Sequence, residues 1–201
     1  SVGQLDQHRL RTGKLNDEDW PRLTHAIQKM NEAQLYIDET PALNPIEMRA
    51  RARRLARQCG KLGLIIVDYL QLMSGGARFG GESNRVQEIS EISRGLKGIA
   101  RELNVPLIAL SQLSRSVESR TPQIPQLADL RESGSIEQDA DVVAFLYREE
   151  YYNPETDRKN IMDVLIKKHR NGPTGAVELY FDREKQRIRS LETKHSTPFD
   201  S

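Results

Sequence analysis

The chain has 201 residues, which is enough for one domain with a buried core. Lys and Arg total 30 against 29 Asp and Glu, so the net charge is +1 and any nucleic-acid-binding surface must be local. The single cysteine, Cys59, excludes an internal disulfide and fits a reducing, cytoplasmic setting. No segment has the length and apolarity of a membrane span or the pattern of a signal peptide. The opening residues do not resemble a natural start, so we expect a fragment or a processed product.

The first half of the chain predicts two helices and a short strand. Residues 16–31 place apolar side chains at helical spacing after an acidic start, and 35–38 has a strand-like composition. A second helix is predicted from Pro45 to Cys59, with Asn44 as its N-cap and Glu47 as the returning partner of a capping box. Its arginines favour a solvated face, and a subunit or nucleic-acid contact is the alternative: Arg49, Arg51, Arg53, Arg54 and Arg57.

Two continuous apolar runs, 64–67 and 106–111, predict strands that are buried on both faces, as in a parallel sheet. A glycine-rich loop at 74–82 and a long helix at 82–103 lie between them. Residues 114–133 are expected to form a loop.

The last third predicts three strands, at 142–146, 161–167 and 176–181. A polar segment at 149–160 precedes the last two, which should form a hairpin.

The alternation of strands and helices predicts an α/β domain with a mainly parallel sheet, flanked by helices and closed by an antiparallel hairpin. We expect one domain over residues 1–185 and a tail over 186–201.

Asp68 ends the first apolar strand. The carboxyl ends of parallel strands are where α/β proteins bind ligands, and an aspartate there can hold Mg²⁺ beside nucleotide phosphates. Many core strands end in Asp for capping or turn reasons, and by itself that second interpretation is favoured.

The expected partner of such an aspartate is a phosphate-binding loop, Gly-x-x-x-x-Gly-Lys-Ser/Thr. The sequence does not contain it, because Gly13-Lys14 and Gly60-Lys61 are both followed by leucine. Either the protein is not an ATPase, or the loop precedes residue 1.

Three further segments could carry chemistry. Gln112, after the second apolar strand, could contact a γ-phosphate or could simply begin a polar loop. Residues 129–141 combine charges with Gly134 and Ser135, which could offer backbone N–H groups to an anion, although a solvated loop has the same composition. Lys168 and Arg170 would share one side of a hairpin tip, where they could insert into a neighbouring active site or form an ordinary basic turn.

The order of these motifs resembles the C-terminal, RecA-like domain of DnaB-type replicative helicases. The resemblance extends from near residue 1 to about residue 182, and its two longest motifs are specific to that family. The matching segments are RTG at 11–13, LIIVDYLQLM at 64–73, ALSQLSR at 109–115, DLRESGSIEQDAD at 129–141 and KHRNGP at 168–173.

The resemblance implies a homo-hexameric ring that encircles single-stranded DNA and moves along it by hydrolysing ATP with Mg²⁺. Asp68 would hold the metal, Gln112 would sense the γ-phosphate, and Lys168 and Arg170 would reach into the adjacent subunit's site. The DNA-gripping loop would include Arg131, Glu132 and Gly134. Primase and a helicase loader are the partners that the family implies.

The family's phosphate loop, catalytic glutamate and first sheet strand lie upstream of the region that matches residue 1. We therefore expect the chain alone to lack ATPase activity and to expose apolar surface beside the missing strand. Two other interpretations remain: another RecA-type, DNA-dependent ATPase of recombination or repair, and a non-catalytic interaction fragment.

Overall fold

The computed structural model describes residues 3–74, 82–130 and 134–191. The helices in these ranges are α1 (Gln7–Thr12), α2 (Asp19–Glu32), α3 (Pro45–Cys59), α4 (Glu82–Leu103), α5 (Gly134–Asp139) and α6 (Glu149–Tyr152). The strands are β1 (Ile65–Val67), β2 (Leu107–Ala109), β3 (Val142–Tyr147), β4 (Ile161–His169), β5 (Gly175–Asp182) and β6 (Arg187–Ser190). The α/β class predicted from the sequence is confirmed.

The chain divides into two compact units. One comprises residues 38–144 and 166–174, and it contains β1, β2 and helices α3 to α5. The other comprises 1–37, 145–165 and 175–201, within which the structure describes α1, α2, α6, β5 and β6. Strands β3 and β4 each contribute residues to both units.

The core of the first unit is built around α4. Ile89, Ile92, Leu96 and Ile99 recur at helical spacing and are at most 4% exposed. Together with Met48, Leu70 and Met73 they form one cluster of buried side chains. Each such side chain contributes about 1.5–3 kcal/mol through removal from water, so this helix is the main source of the unit's stability.

Helices α3 and α4 approach closely at Gly95. A Cβ atom added there would lie 2.6 Å from Cβ of Pro45. The contact is reinforced by ion pairs from Arg49 and Arg53 of α3 to Glu102 of α4. Part of the arginine-rich face of α3 therefore forms ion pairs with α4, and Arg49 and Arg53 are the residues involved.

The predicted strands at 64–67 and 106–111 are confirmed as β1 and β2, which pair in parallel with Ile66 opposite Ile108. The prediction that they are buried on both faces is wrong, since Ile66 is 61% exposed and Ile108 is 49% exposed. One face of this pair packs on the α4 core through the residues on either side of them. The other face exposes apolar side chains to solvent, among them Ile66 and Ile108.

The predicted helices at 16–31, 45–59 and 82–103 are confirmed as α2, α3 and α4. Asn44 caps α3 as expected, accepting from the backbone N–H of Glu47 over 2.9 Å. The predicted strand at 35–38 is wrong: these residues have no regular secondary structure and pair with no strand in the described ranges. Leu35, Tyr36 and Ile37 are 53–76% exposed, so the segment lacks both the ladder and the burial that stabilise a strand.

The strands β3, β4, β5 and β6 form one sheet in that order, with β5 and β6 antiparallel. The three predicted C-terminal strands are confirmed as β3, β4 and β5. The fourth strand, β6, was not predicted, and it lies within the range that we assigned to the tail. The polar segment 149–160 contains the short helix α6.

Within the second unit, charged side chains organise the loop before β4. Arg158 donates to both carboxylate oxygens of buried Asp163, over 3.0 and 2.8 Å. The same guanidinium reaches Glu178 of β5 over 2.7 Å. These contacts tie the start of β4 to β5.

Across the described residues, no helix combines the length and the apolarity needed to cross a membrane.

Candidate functional site

Asp68 and Gln112 lie at the same edge of the parallel pair. Asp68 directly follows β1, and Gln112 comes three residues after the end of β2. The strand ends are joined by backbone hydrogen bonds of 2.9 Å, from Leu110 N to the oxygen of Val67 and from Leu70 N to the oxygen of Leu110. Both functional side chains are exposed. The structure therefore presents a carboxylate and an amide to solvent from neighbouring strand ends, at the carboxyl edge of the parallel pair.

Gln71 links these two strand ends. Its Nε2 donates to Oγ of Ser111 over 3.0 Å and to the backbone oxygen of Gln112 over 3.4 Å. Its Oε1 accepts from the backbone N–H of Gln112 over 3.2 Å. The sequence around Gln71 does not predict this role, because the contact spans about forty residues and leaves no local pattern.

Arg85 of α4 also contacts Gln71. Its guanidinium donates to the backbone oxygen of Gln71 over 2.8 Å and forms an ion pair with Glu88 one turn later. The turn after β1 is thus attached both to the end of β2 and to the core helix. These contacts hold the backbone of Gln112 beside the turn that follows Asp68.

The chemistry of this edge suits a magnesium ion bound with phosphate. Mg²⁺ is usually held by one or two protein carboxylates together with water and phosphate oxygens. Asp68 provides one accessible carboxylate. The described ranges contain no cluster of three or more His, Cys, Asp or Glu side chains that could form an all-protein metal cage. A single accessible carboxylate fits a metal that arrives with a phosphorylated ligand.

Lys168 and Arg170 meet at the C-terminal end of α5. Nζ of Lys168 donates to the backbone oxygens of Glu137 and Gln138, the second over 3.3 Å. Nη2 of Arg170 donates to the same oxygen of Gln138 over 3.0 Å. Both cations thus share the backbone oxygen of Gln138 as an acceptor, which is consistent with the expectation that they lie on one side of the hairpin. His169 instead places Nδ1 3.3 Å from the backbone oxygen of Pro173, inside the turn.

Asp141 completes the attachment of the hairpin tip. Its carboxylate forms ion pairs with Lys97 of α4 and, over 3.2 Å, with Arg170. The hydrogen bond from Lys97, followed by the positive charges of Arg170 and Arg101, holds the pKa of Asp141 below its usual value. Asp141 therefore stays ionised between two cations.

Helix α5 is fastened along one face of α4. Oγ of Ser90 lies 2.9 Å from Oγ of Ser135, and Oγ of Ser93 donates to Asp139 over 2.8 Å. Ser90, Ser93 and Lys97 are spaced three and four residues apart, so they line a single side of α4. This polar stripe and the packing of Ile136 against the core together hold α5 on α4.

The predicted DNA-gripping residues are only partly visible. Gly134 is exposed and begins α5. Arg131 and Glu132 lie outside the described residues. The structure thus locates the end of this loop at the start of α5, while the predicted roles of the three residues stay predictions.

The segment that leads into this loop contains more order than the sequence suggested. Between 114 and 130 it forms two short 3-10 turns, Arg115–Val117 and Leu127–Asp129. A backbone bridge between Leu113 and Leu130 ties the end of the segment to the region just after Gln112. The loop's entry is therefore fixed beside the strand edge.

The predicted site residues form two groups in the first unit, one at the strand edge and one at the end of α5. Among the described residues, no hydrogen bond or ion pair joins Asp68 or Gln112 to Lys168 or Arg170. Each group presents exposed polar atoms of its own.

Comparison with known proteins decides the family. The family model described as "DnaB-like helicase C terminal domain" matches residues 1–190. The chain belongs to this family.

Several named proteins are similar to this DnaB-like domain. The replicative DNA helicase DnaB of Geobacillus stearothermophilus is 53% identical over 192 residues, which are 96% of this chain and 42% of the relative. The replicative DNA helicase DnaC of Bacillus subtilis (strain 168) shows the same identity and coverage. The chain thus spans less than half the length of the curated relatives that it matches.

Solved structures confirm the DnaB-like fold. A DnaB-like replicative helicase, described with its interactions with primase, matches with a TM-score of 0.89 and 40% identity, over 95% of this chain and 46% of that one. A second structure, described as an ATPase domain, matches with a TM-score of 0.88 and 40% identity, over 95% and 67%. The RecA-like helicase fold inferred from the motifs is therefore confirmed.

Proposed function

We propose that this chain is part of the motor of a hexameric replicative DNA helicase, which unwinds duplex DNA by ATP-driven translocation on single-stranded DNA. The observation that carries the proposal is the pairing of Asp68 and Gln112 at one sheet edge, braced by Gln71. The match of a DnaB-like family model to residues 1–190 supports a helicase over a recombination or repair ATPase.

At the strand edge, Asp68 holds Mg²⁺ and Gln112 contacts the γ-phosphate of ATP. The exposed carboxylate supports the first role, and the braced position of Gln112 supports the second. Gln71 fixes the backbone of Gln112 beside the end of β1, so the Gln112 side-chain amide reaches toward a phosphate from a defined starting point.

At the hairpin tip, Lys168 and Arg170 act on the nucleotide of the adjacent subunit. The Arg170 side chain remains 42% exposed while it contacts α5. A guanidinium has five N–H donors, so the contacts with Gln138 and Asp141 leave donors for a phosphate. Cations supplied in this way stabilise the charge that develops during phosphoryl transfer.

Arg131, Glu132 and Gly134 form the loop that grips the phosphates of single-stranded DNA in the ring's channel. The position of Gly134 at the exposed start of α5 supports this assignment. Primase and a helicase loader are the partners of the complete, cytoplasmic protein; one structural relative is itself described with its interactions with primase.

The chain by itself does not hydrolyse ATP. Its 201 residues contain no phosphate-binding loop, and the backbone N–H groups of that loop are needed to hold the β- and γ-phosphates. Asp68, Gln112, Lys168 and Arg170 then serve a site that is completed by other parts of the protein.

The test is ATP hydrolysis by the full-length protein, with and without single-stranded DNA, in mixtures containing increasing fractions of Arg170→Ala subunits. The fully substituted protein should bind nucleotide normally and lose turnover. In mixtures, activity should fall faster than the mutant fraction, since the cation acts across subunits. Lys167→Ala is the matched control, because Lys167 is an exposed cation on the opposite side of β4. A fall in simple proportion, or turnover that ignores DNA, would remove the ring-motor proposal.

A further inference from the structure

The tip of the β4–β5 hairpin is attached to α5 at several points. The backbone N–H of Arg170 donates to the backbone oxygen of Asp141 over 2.8 Å. In its side chain, Nη1 forms an ion pair with the Asp141 carboxylate over 3.2 Å, and Nη2 donates to the backbone oxygen of Gln138 over 3.0 Å. Lys168 adds two contacts with the last turn of the helix. The last carbonyl groups of a helix have no partner inside the helix, so cations are favoured there.

Asp141 is the only carboxylate among the described residues that forms an ion pair with Arg170. It receives Lys97 on its other oxygen, and Lys97 projects from the same stripe of α4 that holds Ser135 and Asp139. With two acceptors in different directions, the Arg170 guanidinium has a defined plane. A single acceptor would leave it free to rotate.

We propose that Asp141, itself held by Lys97, is a positioning residue that orients Arg170 and joins the hairpin tip to the helix that begins at Gly134. This inference rests on the proposed function, since it gives Arg170 a phosphate to reach and Gly134 a DNA strand to contact. It makes α5 a rigid connection between the two: one end follows the DNA-gripping loop and the other end carries the cations.

The exposure of the Asp141–Arg170 ion pair favours a role in positioning Arg170 over a role in stabilising the fold. The side chains of Asp141 and Arg170 are 52% and 42% exposed. Exposed ion pairs contribute little to folding, because water competes for both partners. Removing the carboxylate therefore leaves the fold intact, whereas a misplacement of about 1 Å in a reacting group can reduce turnover by about 100-fold.

The experiment compares Asp141→Asn, Asp141→Glu and Lys97→Met in the full-length protein, with Asp157→Asn as the control, because Asp157 is an exposed aspartate of the other unit. For Asp141→Asn we expect DNA-stimulated ATP turnover to fall by about 10-fold or more. Dissociation constants for nucleotide and for single-stranded DNA should stay within about twofold, and the thermal midpoint should hardly move. Asp141→Glu should recover part of the loss, and Lys97→Met should show a smaller loss in the same direction.

A second readout separates this inference from the proposed function. Hydrogen exchange followed by mass spectrometry should show faster exchange over 166–174 in Asp141→Asn than in the wild type, with no change over β1 and β2. If the wild type shows no DNA-stimulated turnover, the proposed function fails and exchange alone decides the positioning role. Unchanged exchange, unchanged turnover, or a joint fall of turnover, both affinities and the thermal midpoint would each overturn the inference.

Discussion

Arg120 donates to both carboxylate oxygens of Asp129, over 3.0 and 2.7 Å, although the two residues lie on opposite sides of a proline-containing loop. The Asp129 side chain is 3% exposed and also accepts from the backbone N–H of Gln126 over 2.7 Å. The same guanidinium reaches the backbone oxygen of Ile124 over 2.7 Å. This ion pair fixes the segment that ends at residue 130, just before the predicted DNA-gripping residues.

The Arg120–Asp129 pair should make stability depend on pH in the acid range. The hydrogen bond from Arg120 holds the pKa of Asp129 below its ordinary value. A carboxylate with a lowered folded-state pKa contributes stability that is fully present above the unfolded-state pKa, about 3.9, and is lost as pH falls through the folded-state value. We expect Asp129→Asn to lower the free energy of unfolding by about 1–3 kcal/mol at pH 6 and by less at pH 3. Urea unfolding at both values measures this; a difference that stays constant or grows toward low pH would contradict it.

Gln71 should matter for turnover more than for nucleotide affinity. In the full-length protein, Gln71→Met leaves the backbone hydrogen bonds between the strand ends but removes the side-chain contacts that hold the backbone of Gln112, so Gln112 can move relative to Asp68. We expect ATP turnover to fall about 10-fold, which corresponds to about 1.4 kcal/mol in the barrier, with nucleotide binding within about twofold. The control is Gln58→Met, an exposed glutamine on α3. Steady-state hydrolysis and equilibrium binding of a non-hydrolysed analogue provide the measurements, and wild-type turnover in Gln71→Met would show that the bridge has no catalytic consequence.

Arg131→Ala should weaken binding of single-stranded DNA by a similar factor for every base sequence. A phosphate contact releases condensed counterions, so its removal should reduce the slope of log affinity against log salt by about 0.7, the value for one phosphate on a single strand. Fluorescence anisotropy with oligonucleotides of differing sequence, over a range of salt concentrations, measures both effects. A loss confined to particular bases would instead assign Arg131 to base recognition.

Ile66 and Ile92 offer a matched pair for testing the exposed face of the parallel strands. Ile92 is fully buried in the α4 core, and Ile66 is 61% exposed. In this chain, Ile92→Ala should lower the free energy of unfolding by about 2–5 kcal/mol through the lost transfer energy and the cavity. Ile66→Ala should lower it by well under half as much. Denaturant titrations of both variants decide the point, and equal losses would mean that the Ile66 face is covered in solution.

The sequence predicted the elements whose signals are local. The apolar runs around Ile66 and Ile108 indicated β1 and β2, and helical spacing indicated α4, because burial on a sheet or on one helix face imposes those periods. The strand predicted at 35–38 failed because a strand needs a neighbour, and a neighbour is not a local property. Strand β6 was not predicted because its sequence, with Arg187 and Arg189 on either side of one isoleucine, has few apolar residues. It is a strand because it pairs with β5, and that pairing leaves no local pattern.

The candidate site shows the same division. Asp68 and Gln112 could be singled out because they follow recognisable strands. Gln71, Lys97 and Asp141 could not, since each acts through a contact more than 25 residues away in the sequence. Long-range polar contacts carry no periodicity, and only the fold brings their partners together.

The exposed, irregular segment from Leu35 to Ile37 has a consequence for proteolysis. It lies where the sequence of one unit gives way to that of the other, its side chains are more than half exposed, and it has no strand partner in the described structure. Proteases cut exposed segments that lack secondary structure, so limited digestion will cut here. Cleavage would leave α1 joined to the turn after β5 by the hydrogen bond from the backbone N–H of Gln7 to the oxygen of Glu184. A nick visible on a denaturing gel with a smaller species by gel filtration would show that this contact does not hold the N-terminal helices on their unit, and an unchanged elution volume would show that it does.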